Sequence, residues 1–266
     1  MRKFSIDFMK YRKKAILLSL VCMLLSIGLM LTRGLNLGID FTGGNVVQVE
    51  FEQSPSIEDV RSVLATVGQG NSIIQSYSDR GIIIRISANE ESARKEAVDA
   101  LRVKYTGMQV VRLEKVGPVV GAELRKEAMI ALFLALAGIL AYITVRFQFR
   151  FAVVSVAALV HDAVITLGIF SLTGMEISSP FIAAILTIVG YSLNDTIVIL
   201  DRVRENWKNL RVQGIGELLN SSINQTLSRT INTSLTTLLP VIALFIWGGE
   251  VLRSFSFALL VGVLVG

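Results

Sequence analysis

The chain has 266 residues, of which 52% are hydrophobic and only 18% charged, with a mean hydropathy of +0.61. That balance excludes a purely soluble globule, and it excludes intrinsic disorder, which needs low hydrophobicity and high net charge. The single cysteine, Cys22, sits inside an apolar run and excludes a disulfide framework, while the net charge of +5 has to be located along the chain before its sign carries meaning.

In chain order, residues 1–14 are polar and basic, and the first apolar run is 15–32. Its sequence, AILLSLVCMLLSIGLMLT, is longer than the apolar core of a signal peptide, and no A-x-A-like site follows it. It reads as an uncleaved anchor. After a polar segment at 33–126 come apolar runs at 127–145, 151–173, 180–200 and 230–247, each close to the roughly 20 residues that a membrane-crossing helix needs. A sixth run, 254–266, reaches only about 20 Å as helix against a hydrocarbon core of about 30 Å. The expectation is six spans, with the chain ending inside a truncated last one.

Lysine and arginine set the orientation. The segment 1–14 holds six basic residues, 146–150 two and 201–229 five, whereas 174–179 and 248–253 hold only Arg253. An N-terminus in the cytoplasm follows, with 201–229 as a cytoplasmic loop and entrance to the fifth span, and 33–126 on the far side of the membrane. Residues 36–126 carry twelve acidic and eleven basic side chains. The excess charge is therefore a topology signal, and no basic stripe remains for nucleic acid.

Within the translocated segment, NVVQVEFE (45–52) reads as a strand, and SPSIEDVRSVLATVG as a helix opened by Pro55, Ser56 and two acids and closed by Gly68. SIIQSYSDRGIIIRIS reads as a hairpin turning at Asp79-Arg80-Gly81. NEESARKEAVDALRVKY is a second helix, with Asn89 as its cap and Gly107 as its stop, and MQVVRLEKV is a last strand. The order β-α-β-β-α-β predicts a ferredoxin-like α+β domain between spans one and two. It shows no metal-ligand spacing and no nucleophile with a base, and VGQGNS lacks the lysine and spacing of a phosphate loop. A non-enzymatic contact module without a cofactor is expected.

Ionisable groups inside the bilayer cost at least about 2.5–3.5 kcal/mol each, so the few present are candidates for function. His161 and Asp162 lie near the middle of the third span, and Asn194 and Asp195 lie in the fourth. Arg229 stands at the entrance of the fifth. Asp195 precedes the span boundary at Asp201 by about 9 Å of helix, and Arg229 on an antiparallel neighbour reaches a comparable depth. The two can pair, and protonation of Asp195 would then release Arg229. A second reading stands beside this one, in which Arg229 simply snorkels to the interface. Neighbouring helical positions point about 100° apart and there is no second histidine, so His161 and Asp162 do not suggest a metal pair. Gly190, Ser192, Thr196, Thr230, Thr233, Ser234, Thr236 and Thr237 supply small residues for close helix contact around the charges.

Together, LGIDFTGG (37–44), VGPVVGAEL (116–124), VHDAVITLGIFSL (160–172), GYSLNDTIVILDRVREN (190–206) and NQTLSRTINTSLTTLLP (224–240) resemble the SecF family of bacterial protein-export membrane proteins. Its wider relatives are the proton-driven RND exporters. The likeness covers nearly the whole chain. It implies a six-span RND-like bundle in the bacterial cytoplasmic (inner) membrane that pairs with SecD and assists late steps of protein export at the expense of the proton gradient. It also implies an exported unfolded polypeptide as cargo, and SecYEG, YajC and YidC as further partners. The family's relay aspartate falls on Asp195 and its arginine on Arg229, with Asn194, Asp162 and His161 as polar neighbours. Members of the family continue the sixth span beyond the position of Gly266. The alternative readings are half of an RND-type exporter for small molecules or lipids, and a structural scaffold that needs no buried aspartate.

Overall fold

A computed structural model describes residues 6–86, 91–209 and 214–266. The chain forms two compact units, residues 37–130 and, separately, 1–36 together with 131–266.

The smaller unit begins with a single helical turn, α2 (Ile39–Thr42), which follows the long helix α1 (Phe8–Arg33) in the chain. Four strands, β1 (Gly44–Glu50), β2 (Ile73–Ser76), β3 (Gly81–Ile86) and β4 (Gln109–Val116), form one sheet in the order β2-β3-β1-β4. All of the pairings are antiparallel, and a bulge interrupts the β1–β4 register at Gln48/Val49. Helices α3 (Ile57–Thr66) and α4 (Glu91–Lys104) complete the β-α-β-β-α-β order. This is the expected ferredoxin-like arrangement.

The sequence explains each element. Ser56 caps α3, its hydroxyl accepting from the Asp59 amide at 3.0 Å, and Val60, Val63 and Leu64 turn inward. On α4 the inward face is Ala93, Ala97, Val98 and Leu101; the expected Asn89 cap lies outside the described residues. These side chains pack on Val47, Val49 and Phe51 of the first strand and its exit, and on Ile82, Ile84 and Ile86 of β3, each large side chain contributing about 1.5–3 kcal/mol by leaving water. The other face of the sheet is covered too, by Ile39 and Tyr77 over Val46 and Ile83. Strand β1 is therefore buried along nearly its whole length instead of alternating.

The pair Gly43-Gly44 fixes how β1 starts. Gly43 has φ 72° and ψ 169°, a region essentially reserved for glycine, and a Cβ there would stand 2.9 Å from the Cα of Pro118. Gly44, at φ 123°, would bring its Cβ within 2.9 Å of the Ile86 carbonyl oxygen. Pro118 is the first residue of helix α5, Pro118–Arg146, so the double glycine seats the start of the strand against the start of that helix.

The larger unit contains helices α1, α6 (Phe149–Thr173), α7 (Ser179–Asn206), α8 (Ile215–Trp247) and α9 (Gly249–Val265), and takes in α5 from Ala131 onward. Among the described residues five helices, α1 and α5 to α8, are long and apolar enough to cross a membrane, and the apolar stretch in α9 is shorter. The five full-length apolar runs fall inside α1 and α5 to α8, and the sixth, 254–266, ends one residue beyond α9. The structure extends several of them into polar sequence: α7 runs past Asp201 to Asn206, and α8 begins at Ile215, so much of 201–229 is helical.

Helix α1 packs on α6, and α9 packs against α6, α7 and α8. Gly168 lets α6 approach Ser26 of α1, whose Cβ would overlap any side chain added there. At one end, Ser171 donates to the Gly34 carbonyl at 2.7 Å and the Ile177 amide to that of Asn36 at 2.8 Å. Phe170 stacks with Phe181 at 4.5 Å and with Phe257 at 5.4 Å, and Phe245 reaches Phe257 at 5.8 Å. At the other end, Asn224 holds both backbone groups of Ile6, at 2.9 and 2.8 Å, and Asn220 accepts from the Phe8 amide at 2.8 Å. Helix α8 carries Pro240 in its interior.

Gly43→Val should destabilise the smaller unit by about 1–3 kcal/mol from backbone strain alone, with the Pro118 clash added. Limited proteolysis of the membrane-embedded chain should show faster cleavage within 37–130 and unchanged cleavage elsewhere. In the same unit, burial above all, with the Asp59 carboxylate adding to it, raises the pKa of Tyr105 above its usual value, and the ring stands edge-on to Phe51 at 4.9 Å. Ionisation is thus harder in the folded state, so the contribution of this group is complete below about pH 10 and lost as pH rises beyond it. Tyr105→Phe should flatten the alkaline arm of the unfolding profile of this unit.

Candidate functional site

Three helices of the larger unit carry the polar residues singled out by the sequence. Asp162 of α6 is 4% exposed. A carboxylate at such a position is tolerable only if its oxygens find partners, and here both do. Oδ1 lies 2.9 Å from His161 Nδ1, and Oδ2 accepts from the Ser192 hydroxyl of α7 at 2.7 Å. The Thr166 hydroxyl donates to the Asp162 carbonyl at 2.8 Å, satisfying a backbone acceptor in the same turn. His161 and Asp162 thus meet although neighbouring positions on a helix diverge, because the imidazole is long enough to swing across to the carboxylate.

Asp195 of α7 is placed differently. Arg229, Thr230 and Thr233 of α8 face its carboxylate. Yet the Thr230 hydroxyl is buried without a close hydrogen bond among the described residues, and that of Thr233 is given to the carbonyls of Arg229 and Thr230. The ion pairs among the described residues do not include Asp195 with Arg229. Arg229 itself is exposed on this chain. Asn194 is also exposed, its amide 3.5 Å from Asp195 Oδ1. Asp195 and Arg229 thus lie on helices that pack together, with no closed salt bridge between them among the described residues.

Ser192 ties α7 to Asp162, whereas the sequence marks it only as a small packing residue. It lies three residues before Asp195, so both side chains occupy one side of α7 about 4.5 Å apart along the axis. That spacing was the available signal. The cluster formed by His161, Asp162 and Ser192 and the Asp195 carboxylate therefore lie one turn apart on the same side of α7. His161 Nε2 and the Tyr191 hydroxyl are buried without hydrogen-bond partners among the described residues. Boundary charges are separate from these groups: Asp201 pairs with Arg146 at 3.2 Å, and Arg202 with Glu205 at 2.7 Å. Among the described residues no group of three or more His, Cys, Asp or Glu side chains could hold a metal ion.

Ser192→Ala removes the side-chain donor of a buried carboxylate oxygen. It should cost about 1–3 kcal/mol, lowering the thermal midpoint of the purified protein, whereas Asn194→Ala, at an exposed position, should leave that midpoint close to wild type.

Comparison with known proteins adds a family context. Residues 97–266 match the family described as protein export membrane protein SecD/SecF, C-terminal, and residues 28–55 match the SecD/SecF GG motif. The chain is 49% identical to protein translocase subunit SecF of Desulfurispirillum indicum, the match covering 100% of this chain and 88% of that protein. It is 42% identical to the SecF subunit of Pseudomonas aeruginosa, over 98% of this chain and 87% of that one. It is also similar to the crystal structure of SecDF, a translocon-associated membrane protein from Thermus thermophilus, with a TM-score of 0.91 and 41% identity over 98% of this chain. The match spans only 36% of that longer chain.

Proposed function

This chain belongs to the SecD/SecF family of protein-export membrane proteins, and from that premise we propose that it is a proton-coupled subunit of protein translocation that acts with SecD. It is a multi-pass protein of the inner membrane. In the proposed orientation the N-terminus is cytoplasmic and the ferredoxin-like unit is extracytoplasmic, where it contacts the exported polypeptide during late steps of translocation. The subunit itself catalyses no covalent step and uses no cofactor; SecYEG, YajC and YidC are the further partners of this reading.

The observation that carries the proposal is the contrast between the two carboxylates. Asp162 has a close side-chain partner on each oxygen and is held as a fixed polar anchor. Asp195 has Thr230, Thr233 and Arg229 of α8 around its carboxylate and the Asn194 amide at 3.5 Å, with no closed ion pair among the described residues, as suits a carboxyl that must gain and lose a proton at little structural cost. Protonation cancels its attraction for Arg229 and frees α8 relative to α7. Deprotonation restores that attraction. Moving one elementary charge through the membrane supplies about 2.3 kcal/mol per 100 mV, enough to bias two packings of a helix pair. His161, Asp162 and Ser192 shape the polar surroundings one turn away without themselves switching.

A helical partner is supported by α7 itself. Ala183, Thr187, Gly190 and Asn194 are all exposed, spaced four, three and four residues apart along one face. Small and polar residues in that spacing favour contact with another helix over contact with lipid. The relatives reported above are named as translocase subunits, which favours protein export over an exporter of small molecules or lipids.

Asp195→Asn keeps the size and polarity of the side chain but cannot change charge. It should insert and bind its partner normally while losing the part of export that responds to the proton gradient, and Arg229→Ala should lose the same part. Export assayed in inverted membrane vesicles with and without an uncoupler tests this. Undiminished gradient-dependent export by Asp195→Asn would rule out the relay.

A further inference from the structure

The groove between the start of α6 and the end of α7 has an unusual balance of charge. Its volume is about 700 Å³, and its apolar walls include Phe151, Val154 and Leu200. Its polar side is formed by Arg150, Arg204 and Lys208, and no carboxylate lines it. The neighbouring cations are neutralised: Arg146 by Asp201 and Arg202 by Glu205. Arg150 and Lys208 take part in none of the ion pairs among the described residues, and Arg204 makes only a 3.5 Å contact to the Arg146 carbonyl.

The N-terminus of α6 adds a second element. The cap residue Gln148 makes no side-chain hydrogen bond to the first turn, and that turn contains no acidic residue. Instead it carries Arg150. A cation at the positive end of a helix dipole is unfavourable, and an anion seated there would relieve both the dipole and the arginine. Trp207, 47% exposed, closes the groove, a residue suited to the level where lipid headgroups meet hydrocarbon.

We propose that this groove binds an anionic glycerophospholipid, its phosphate held by Arg150, Arg204 and Lys208 and an acyl chain lying along Val154 and Leu200. The apolar walls point to a lipid and not to a soluble anion, because inorganic phosphate has nothing to place against them. Clustered basic side chains between helices at a membrane surface are suited to such headgroups. The site is independent of the proton relay and is distinct from the Asp195 centre.

Native mass spectrometry of the full chain, purified with any subunit that accompanies it, tests the site when phosphatidylglycerol and phosphatidylcholine of matched acyl chains are offered together. Phosphatidylglycerol should be retained in preference. Arg150→Gln and Lys208→Gln should each weaken its retention about fivefold, while Lys13→Gln with Lys14→Gln, exposed cations outside the groove, should leave it unchanged. Excess inorganic phosphate should not displace it. Equal retention of the two lipids, an equal loss in the Lys13/Lys14 variant, or displacement by phosphate would overturn the proposal. Both groove substitutions are at exposed positions, and an unchanged elution profile confirms that each variant is folded before it is read.

Discussion

A carboxylate inside hydrocarbon has no solvent to turn to, so the protein has to provide its partners or let it take up a proton. Asp162 is the point where the larger unit meets this demand. One oxygen is held by the preceding histidine and the other by a hydroxyl on the next helix, so α6 and α7 are fastened at the depth where a slipped contact would be most costly. The third-span and fourth-span helices are thereby in register, and the position of Asp195 against α8 follows from that register.

The ends of the bundle obey the same rule by other means. Backbone groups left over at helix termini are taken up by side chains from distant parts of the chain: Asn224 holds Ile6, Asn220 holds Phe8, and Ser171 takes the carbonyl of Gly34. The aromatic contacts of Phe170, Phe181, Phe245 and Phe257 add packing of the kind that water-facing proteins obtain from the hydrophobic effect, which is weak between helices in lipid. In the smaller unit, water restores that effect, and a two-faced sheet under two helices has a conventional core.

Much of this could be read from residue patterns. The spans announce themselves because twenty apolar residues have few other uses, and the ferredoxin-like unit because its strands and helices differ in period and are separated by Gly68, Gly81 and Gly107. The turn Ile39–Thr42 escaped because four residues are too few to display a period. The extension of α8 back to Ile215 escaped because hydropathy finds apolar length and not helix; its polar first turns are stabilised by Asn220 and Asn224 reaching the N-terminal segment, more than two hundred residues away in sequence. At the site, charge in an apolar run marked Asp162, Asp195 and Arg229. Ser192 was hidden among other small residues, since a serine that packs and a serine that donates to a carboxylate look alike until the facing helix is known.

Pro240 divides α8 into two mechanical parts. Proline has no amide hydrogen for the carbonyl one turn earlier, so the ladder of hydrogen bonds lacks a rung there and the rod bends more easily at that level than elsewhere. On one side lies Arg229, next to the loosely held carboxylate; on the other lies Phe245, seated against Phe257. Both parts are held, the far one against Phe257 and the near one by Asn220 and Asn224 on the N-terminal segment, so the bend at the proline is the softest point between two fixed ends. A rod held at both ends and soft in the middle can take up a local rearrangement near Arg229 as a change of bend, leaving the contacts at either end in place.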